Sequence, residues 1–385
     1  MTDISAQIDW LARLVAHDTT SSKSNLCLVE DVEDYLHGLG VATKRVANED
    51  GSKTNLYAIV GPEIEDGVVL SGHTDVVPVL GQAWDTDPFV LTEKDGLLYG
   101  RGTCDMKAFS AIGLSLVPEM LAANLQRPLI FALSYDEEVG CLGAPDMIDE
   151  IARQVPAPSA VIVGEPTMMK VIDGHKGISS FRTQVTGYTT HSSQANRGVS
   201  AVMMAARIIS FIEELSRELE ANAPAGSAFD PPHTTMTVNV VHGGTQLNIM
   251  AGDCSFDWDM RSVPGDDVDE IFGRVQSFVS TLEQEMKEKH EGCSVATTWM
   301  TRAPHLAPQS GNRAVELAHA LTGQNHTEVV SYATEGGQFQ GAGFHTVICG
   351  PGSIDQAHQP NEFISLAQME AGTAFMRRLI ARMAA

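Results

Sequence analysis

The sequence predicts an α/β protein: a doubly wound, mostly parallel sheet, interrupted by an inserted α+β sandwich. Three observations carry this. Apolar runs that end in polar, chemistry-bearing residues recur along the chain: Gly67–Leu70 runs to His73, Leu129–Tyr135 to Asp136-Glu137-Glu138, Ala160–Gly164 to Glu165, and Val347–Gly352 towards His358. Such runs, bounded by turn residues and separated by helical segments, read as strands of a parallel sheet covered on both faces. Around Gly177 the pattern changes to residue-by-residue alternation, the mark of half-exposed antiparallel strands. After about residue 302 it reverts to the first type.

The elements follow in order. Ile8, Leu11, Leu14 and Val15 have helical spacing, and Val29, Val32, Tyr35 and Leu36 repeat it, so residues near 5 to 41 are expected to be helical, the second helix closed by Gly38 and Gly40. Strands and helices then alternate to about residue 178, with one helix expected over Ala108–Leu121. Tyr99–Asp105 reads as another strand delivering its last residue to the open edge of the sheet. The inserted region begins with a strand over Ile178–Gly187, followed by an amphipathic helix, Val199–Leu219, and a Pro/Ala/Gly-rich loop, Ala223–Pro232. Two strands, Thr235–Val241 and Asp253–Arg261, and a helix over Asp267–Lys289 complete a ferredoxin-like pattern of helices on one sheet face. The expected domains are 1–177 with 303–385, and 178–302. The strand at 346–349 and a closing helix, Leu366–Met383, rejoin the first sheet.

The 385 residues are 43% hydrophobic and 19% charged, enough for two cores. A formal net charge of −24 argues against nucleic acid and against an anionic membrane as partners, though a local cation still admits an anionic small substrate. Met1–Trp10 has no basic stretch before an apolar core, and no apolar run reaches spanning length, so neither a secretory leader nor a membrane segment is expected. The six cysteines are scattered without a C-x-x-C pair and read as reduced thiols of a cytoplasmic protein. Cys104 reads as a small buried side chain rather than a ligand.

Strand ends in open α/β sheets mark the site, and the residues they deliver are metal-type ligands. His73 and Asp75 lie two apart and share a face, which suits an imidazole ligand and the carboxylate that fixes its tautomer. An H-x-D pair is also common without a metal. Asp105 follows a Gly-rich turn and either caps the next helix or bridges two cations. Glu137 and Glu138 are adjacent, so their side chains diverge: one can coordinate while the other takes a proton from water. The alternative is a solvated acidic turn. Glu165, held extended by Pro166, and His358 are unremarkable singly. Together these are two histidines and three carboxylates, a nitrogen/oxygen set without thiolate that suits Zn²⁺, Co²⁺ or Mn²⁺ in a catalytic role. A hydrolytic pair of such ions lies roughly 3.5–4 Å apart and shares a carboxylate.

Four segments, Ser71-Gly72-His73-Thr74-Asp75-Val76-Val77-Pro78, Leu98–Lys107, Asp136-Glu137-Glu138-Val139-Gly140 and Gly164-Glu165-Pro166, resemble the M20 metallopeptidase/deacylase family in combination. The resemblance runs over nearly the whole chain. Tyr332–Phe339 and Cys349–His358 are similar to its acetylornithine deacetylase branch, with Gly336-Gly337 standing where that branch often has alanine and glycine.

The resemblance implies two Zn²⁺ per subunit, with Co²⁺ as an alternative. One would be held by His73, Asp105 and Glu165, the other by Asp105, Glu138 and His358. Glu137 would be the base, Asp75 the partner of His73, and the Asp105–Met106 peptide cis. It further implies a homodimer formed through the inserted, lid-like domain, whose His191 reaches the site of the second copy to steady the oxyanion. Arg261 and Asn248 would contact substrate. Arg261 could instead pair with Asp257 or Asp259, His191 could be a surface histidine, and Asn248 a turn residue.

The expected reaction is hydrolysis of a small N-acyl amino acid: N2-acetyl-L-ornithine to L-ornithine and acetate, in arginine biosynthesis. A bridging water would give its proton to Glu137 and attack the acetyl carbonyl. The alternatives are another hydrolase of the family (a succinyl-diaminopimelate desuccinylase, a dipeptidase or a general aminoacylase) and a non-catalytic metal or amino-acid binding protein.

Overall fold

A computed structural model describes residues 3–385. It divides into two compact units: the chain up to Gly174 with Leu306–Val329 and Thr334–Ala385, and His175–His305 with Val330–Ala333.

The first unit is built on an eight-stranded sheet. Its spatial order is Thr43–Ala47, Thr54–Val60, Leu129–Ser134, Val68–His73, Ala160–Pro166, Thr346–Gly350, Ile172–His175 and Glu328–Val330. The four central strands pair in parallel and are buried along their whole length, which is why they read as unbroken apolar runs. The flanking pairs at Thr43–Ala47, Thr54–Val60 and Ile172–His175 are antiparallel. Because the central strands run the same way, their carboxyl ends share one edge. His73, the turn Asp136–Glu138, Glu165 and the loop towards His358 all leave the sheet there.

Asp105 arrives differently from the sequence expectation. Leu97–Tyr99 belongs to a separate three-stranded sheet with Thr92–Lys94 and Phe363–Ser365, and Asp105 follows it through a glycine turn. Gly102, at φ +82°, makes that turn possible. The helix after it, Lys107–Ser115, is buried from Lys107 to Leu114. A helix with no solvated face has to approach its neighbours closely, and small residues permit it. A Cβ at Gly113 would lie 2.7 Å from Phe131, and one at Gly164 would lie 2.0 Å from the ring of Phe109. The single helix expected over Ala108–Leu121 is two, Lys107–Ser115 and Val117–Ala122, because Pro118 cannot donate within a helix and opens the second. Residues 5–41 form two helices, as their two apolar patterns lead one to expect: Ser5–Val15 and Leu26–Gly38. Lys107 Nζ donates to the carbonyls of Leu14 (3.1 Å) and His17 (3.0 Å), satisfying acceptors at the end of the first.

The second unit is a four-stranded antiparallel sheet ordered Thr235–Gly243, Asp253–Ser262, Gly177–Thr186, Ser294–Ala303, with helices Ala201–Ala221 and Val268–Lys289. The β-α-β-β-α-β succession and this order are ferredoxin-like. Gly177–Thr186 alternates buried and accessible residues, as its sequence does. Phe181 stacks on Trp258 (4.0 Å between centroids) and on Phe272 (4.9 Å), joining strand to strand and sheet to helix. Ser200 and Asp267 cap the two helices through their side chains. Ser294–Ala303 lacks an apolar alternation in sequence and is half-exposed in the structure.

Gly164 precedes Glu165 and has the ring of Phe109 against its Cα. We predict that Gly164→Ala forces that ring to move and lowers stability by about 1–3 kcal/mol, the usual cost of overpacking. Urea denaturation checks this, and an unchanged midpoint would show that the contact is slack.

Candidate metal centre

Five donors and one further carboxylate, Glu137, converge at the carboxyl edge of the first sheet. His73 is the last residue of Val68–His73 and is buried. Its Nδ1 donates to the main-chain carbonyl of Asp75 at 2.9 Å, which leaves the Nε2 lone pair facing inward. Nε2 lies 3.0 Å from Asp105 Oδ1 and 3.7 Å from Glu165 Oε1. The other oxygen of Asp105, Oδ2, lies 3.3 Å from His358 Nε2, which is 2.8 Å from Glu138 Oε2. Asp105 therefore turns one oxygen to each imidazole, the arrangement of a carboxylate shared between two cations. Donor atoms of His73, Asp105 and Glu138, and of His73, Glu137 and Glu165, fall within 4.8 Å of one another. The Asp105–Met106 peptide is cis. Asp105 makes no side-chain cap to the helix that follows.

The electrostatics of this donor set fit divalent cations. Asp105, Glu137, Glu138 and Glu165 face only two imidazoles, so the cluster stays anionic even with both rings protonated. Burial raises Glu165 well above the usual carboxylate range, and the charge of Asp105 adds to it. Burial and Asp105 also push Glu138 up to about 7. Glu137 is raised well above its ordinary value by burial and by Glu138, Asp105 and Glu335, against the pull of His73. Burial works the same way on Asp105, but His358 and His73 outweigh it and hold this carboxyl below its usual range. His358 is raised to about 10 by Asp105 and Glu138. Buried like charges of this density are stable only when compensated, and cations do that.

Asp75 differs in detail from its expected role. Its carbonyl, not its carboxylate, is the hydrogen-bonded acceptor of His73; the carboxylate stands 3.6 Å from Nδ1. The carboxylate accepts Ser21 Oγ (2.7 Å) and the main-chain N–H groups of Glu137 (3.1 Å) and Glu138 (3.3 Å). One residue thus orients a ring by its carbonyl and an acidic turn by its side chain. The turn is entered through Asp136 at φ +56°, a conformation aspartate tolerates, and Lys53 pairs with the Asp136 carboxylate.

Two buried acids escaped the reading of the sequence as site residues. Glu335 accepts the hydroxyls of Ser71 (2.9 Å) and Ser134, one on each of two central strands. Glu362 holds the turn that presents Asp105 through the N–H groups of Gly102 (3.0 Å), Cys104 (2.8 Å) and Asp105 (3.0 Å). The signal for Glu335 was its place within the Tyr332–Phe339 segment; Glu362 carried none. Cys104 is buried, and its thiol donates to the Ser353 carbonyl at 3.2 Å; burial raises its pKa. Cys141 donates its thiol proton to Glu137 Oε1 at 3.2 Å.

His191, Asn248 and Arg261 belong to the second unit. His191 is exposed; its Nδ1 accepts the Ser193 N–H at 3.2 Å, so the neutral ring carries its proton on Nε2 as a donor. Asn248 is exposed beside it, its carbonyl accepting the Ser192 N–H at 3.0 Å. Arg261 donates through Nε to Asp259 at 2.9 Å, the intramolecular pairing its sequence neighbours allowed, while Asp257 is taken by Arg182.

Residues 69–382 match the model of peptidase family M20/M25/M40. The chain is 32% identical over 387 residues to an acetylornithine deacetylase of Pasteurella multocida, covering 99% of this chain and 98% of that one. It is 33% identical over 371 residues to an acetylornithine deacetylase of Proteus mirabilis, covering 95% and 92%. Among solved structures, an M20 family metallo-carboxypeptidase from Sulfolobus solfataricus superposes with a TM-score of 0.76 at 18% identity, covering 98% of this chain and 99% of that one. The parallel sheet edge, the donor cluster on it and these matches lead to one assignment: the chain belongs to peptidase family M20/M25/M40.

Proposed function

We propose that this protein is a dinuclear metal-dependent amidohydrolase that cleaves N2-acetyl-L-ornithine to L-ornithine and acetate, a cytoplasmic step of arginine biosynthesis. The observation that carries the chemistry is the Asp105 carboxylate, with one oxygen towards His73 and the other towards His358. The choice of substrate is supported by the name shared by the full-length relatives.

In this reading His73, Asp105 and Glu165 hold one ion and Asp105, Glu138 and His358 the other, Zn²⁺ or Co²⁺. Bound there, two such ions would supply Lewis acidity that acidifies water and polarises an amide carbonyl. Glu137 is the remaining acid of the cluster and serves as the general base. It takes the proton of the attacking water and returns it to the departing amine, so the carboxylate is regenerated in each turnover. A basic carboxylate is required for that, and burial among like charges makes Glu137 one. Asp75 sets where this base stands, because its carboxylate holds the Glu137 main chain.

His191 is assigned to the oxyanion. Its Nε2–H is the donor that such a charge needs, and it serves a second copy of the chain in a homodimer formed through residues 178–302. Arg261 is assigned to the substrate carboxylate, which its planar fork matches, and Asn248 to a supporting contact.

The reading is tested by acetate release from N2-acetyl-L-ornithine in a panel that includes succinyl-diaminopimelate, dipeptides and other N-acetyl amino acids, each with zinc, with cobalt and after chelation. The highest kcat/KM is expected for N2-acetyl-L-ornithine, lost on chelation and restored by either ion. A higher value for any other member overturns the substrate, and full activity in the chelated protein overturns the metal requirement. Glu137→Ala is expected to lower kcat by about 10²–10⁴, the typical contribution of a positioned acid–base group, with two ions still bound per chain by elemental analysis. Rates within tenfold of wild type would remove Glu137 from the base role. His191→Ala is expected to be nearly inactive alone and to regain activity when mixed with Glu137→Ala chains, since hybrid dimers contain one intact site. Absence of rescue in mixed dimers rules out the cross-subunit assignment.

A further inference from the structure

We propose that Glu362 and Arg101 form a buried clamp that positions Asp105 and His358 together for the ion they share; this rests on the dinuclear reading above. Both side chains are only 1% exposed. Glu362 Oε1 accepts the main-chain N–H groups of Cys104 (2.8 Å) and Asp105 (3.0 Å). Its Oε2 accepts Gly102 N–H (3.0 Å) and Arg101 Nη1 (2.7 Å). The Glu362 carbonyl accepts Gly100 N–H at 3.0 Å, so the main-chain N–H groups of Gly100, Gly102, Cys104 and Asp105 all end on one residue.

Arg101 extends the clamp to the other ligand. Its Nη1 also reaches the Gln359 carbonyl at 3.3 Å, and its Nη2 donates to Gln82 Oε1. Gln82 in turn donates through Nε2 to the main-chain carbonyl of His358 at 2.9 Å. The guanidinium lies 5.1 Å from the ring centroid of Trp84, which covers it. His358 sits at φ +64°, a left-handed conformation uncommon for a non-glycine residue, though histidine adopts it more readily than most. The clamp holds its carbonyl through Gln82. One carboxylate fixes the backbone that carries Asp105, its ion-pair partner fixes the backbone that carries His358, and the two ligand atoms end 3.3 Å apart. His73 and Glu165, by contrast, are placed by strands of the main sheet and do not hang on this contact.

Glu362 and Arg101 are therefore positioning residues, and their effect belongs to one ion more than the other. In Glu362→Gln an NH₂ group replaces an acceptor of the turn, and Arg101 loses its ionic partner. The test strips full-length wild type, Glu362→Gln and Gln82→Ala with chelator and titrates each with Co²⁺, followed by calorimetry and visible absorption. Wild type is expected to take two ions. Glu362→Gln should weaken one of them by about 10–100-fold, the usual effect of losing a partner that orients metal ligands, while the other weakens less. Gln82→Ala, which leaves every Glu362 bond in place, should weaken the same ion by a smaller factor. Wild-type affinities for both ions in Glu362→Gln overturn the clamp, even if its thermal midpoint falls. Should Glu362→Gln fail to fold, Gln82→Ala decides alone: selective weakening supports the clamp and unchanged affinities overturn it. A wild-type chain that takes fewer than two ions overturns the dinuclear reading itself.

Discussion

Everything in the first unit answers to one electrostatic problem: carboxylates gathered faster than positive charge at the edge of a sheet. Two unit charges 4 Å apart repel by about 4 kcal/mol at an effective dielectric of 20. Several such pairs would rival the 5–15 kcal/mol by which a typical domain is stable. The donor cluster of Asp105, Glu137, Glu138 and Glu165 is therefore not something a chain tolerates by accident. It persists because a rigid frame holds the groups in place and because cations suit the gap between them. The parallel sheet is that frame. Its central strands are buried on both faces and each is hydrogen-bonded to a neighbour on either side, so their carboxyl ends are fixed relative to one another.

Three further acids hold the loops and strand ends that carry the donors. Asp75 grips the turn of Glu137 and Glu138, Glu362 grips the turn of Asp105, and Glu335 ties the strands that end at His73 and at Ser134. Their partners are mostly main-chain N–H groups and hydroxyls rather than cations. That choice has a physical logic. Hydrogen-bond donors satisfy a buried carboxylate and fix its geometry without adding a net positive charge, which would compete with divalent ions for the ligands. Arg101 is the exception, and it is kept on the far oxygen of Glu362 rather than in contact with Asp105.

What the sequence disclosed and what it hid divide along the same line. The central strands were legible because burial on both faces leaves no polar positions in Val68–Leu70, Leu129–Leu133 or Ala160–Val163. The ligands were legible because each follows such a strand or a glycine turn within a few residues. Edge elements were not: Thr43–Ala47 and Ser294–Ala303 face solvent on one side and give half or more of their positions to polar residues. Glu362 was invisible for another reason. Its meaning lies in N–H groups some 260 positions earlier in the chain, and an exposed-looking Asn-Glu pair in a loop carries no local sign of that. Asp75 was legible as a partner of His73, but which of its oxygens does the work depends on how the turn at Asp136 closes over it.

A metal pair and a base act on water and an amide carbonyl; they have no means of reading which acyl amino acid carries that carbonyl. Selectivity in the proposed hydrolase has to come from groups outside the donor cluster, and Arg261 shows how demanding that is. Its Nε is already engaged by Asp259, so under the proposed assignment a substrate carboxylate would meet a half-neutralised guanidinium. It gains the Nη edge without displacing Asp259, or the full bidentate fork only by breaking that pair. The first option makes recognition weak and geometry-dependent; the second makes it strong only for a carboxylate delivered at the right distance from the scissile amide. Either way the quantity selected would be the spacing between carboxylate and amide, which separates α-N-acyl amino acids from other amides but not from one another, so the side chain has to be read by further groups. N2-acetyl-L-ornithine carries a δ-ammonium as well as its carboxylate and is net neutral, so the field of a chain of net charge −24 would not exclude it, and a point cation such as Arg261 would serve to orient its carboxylate end.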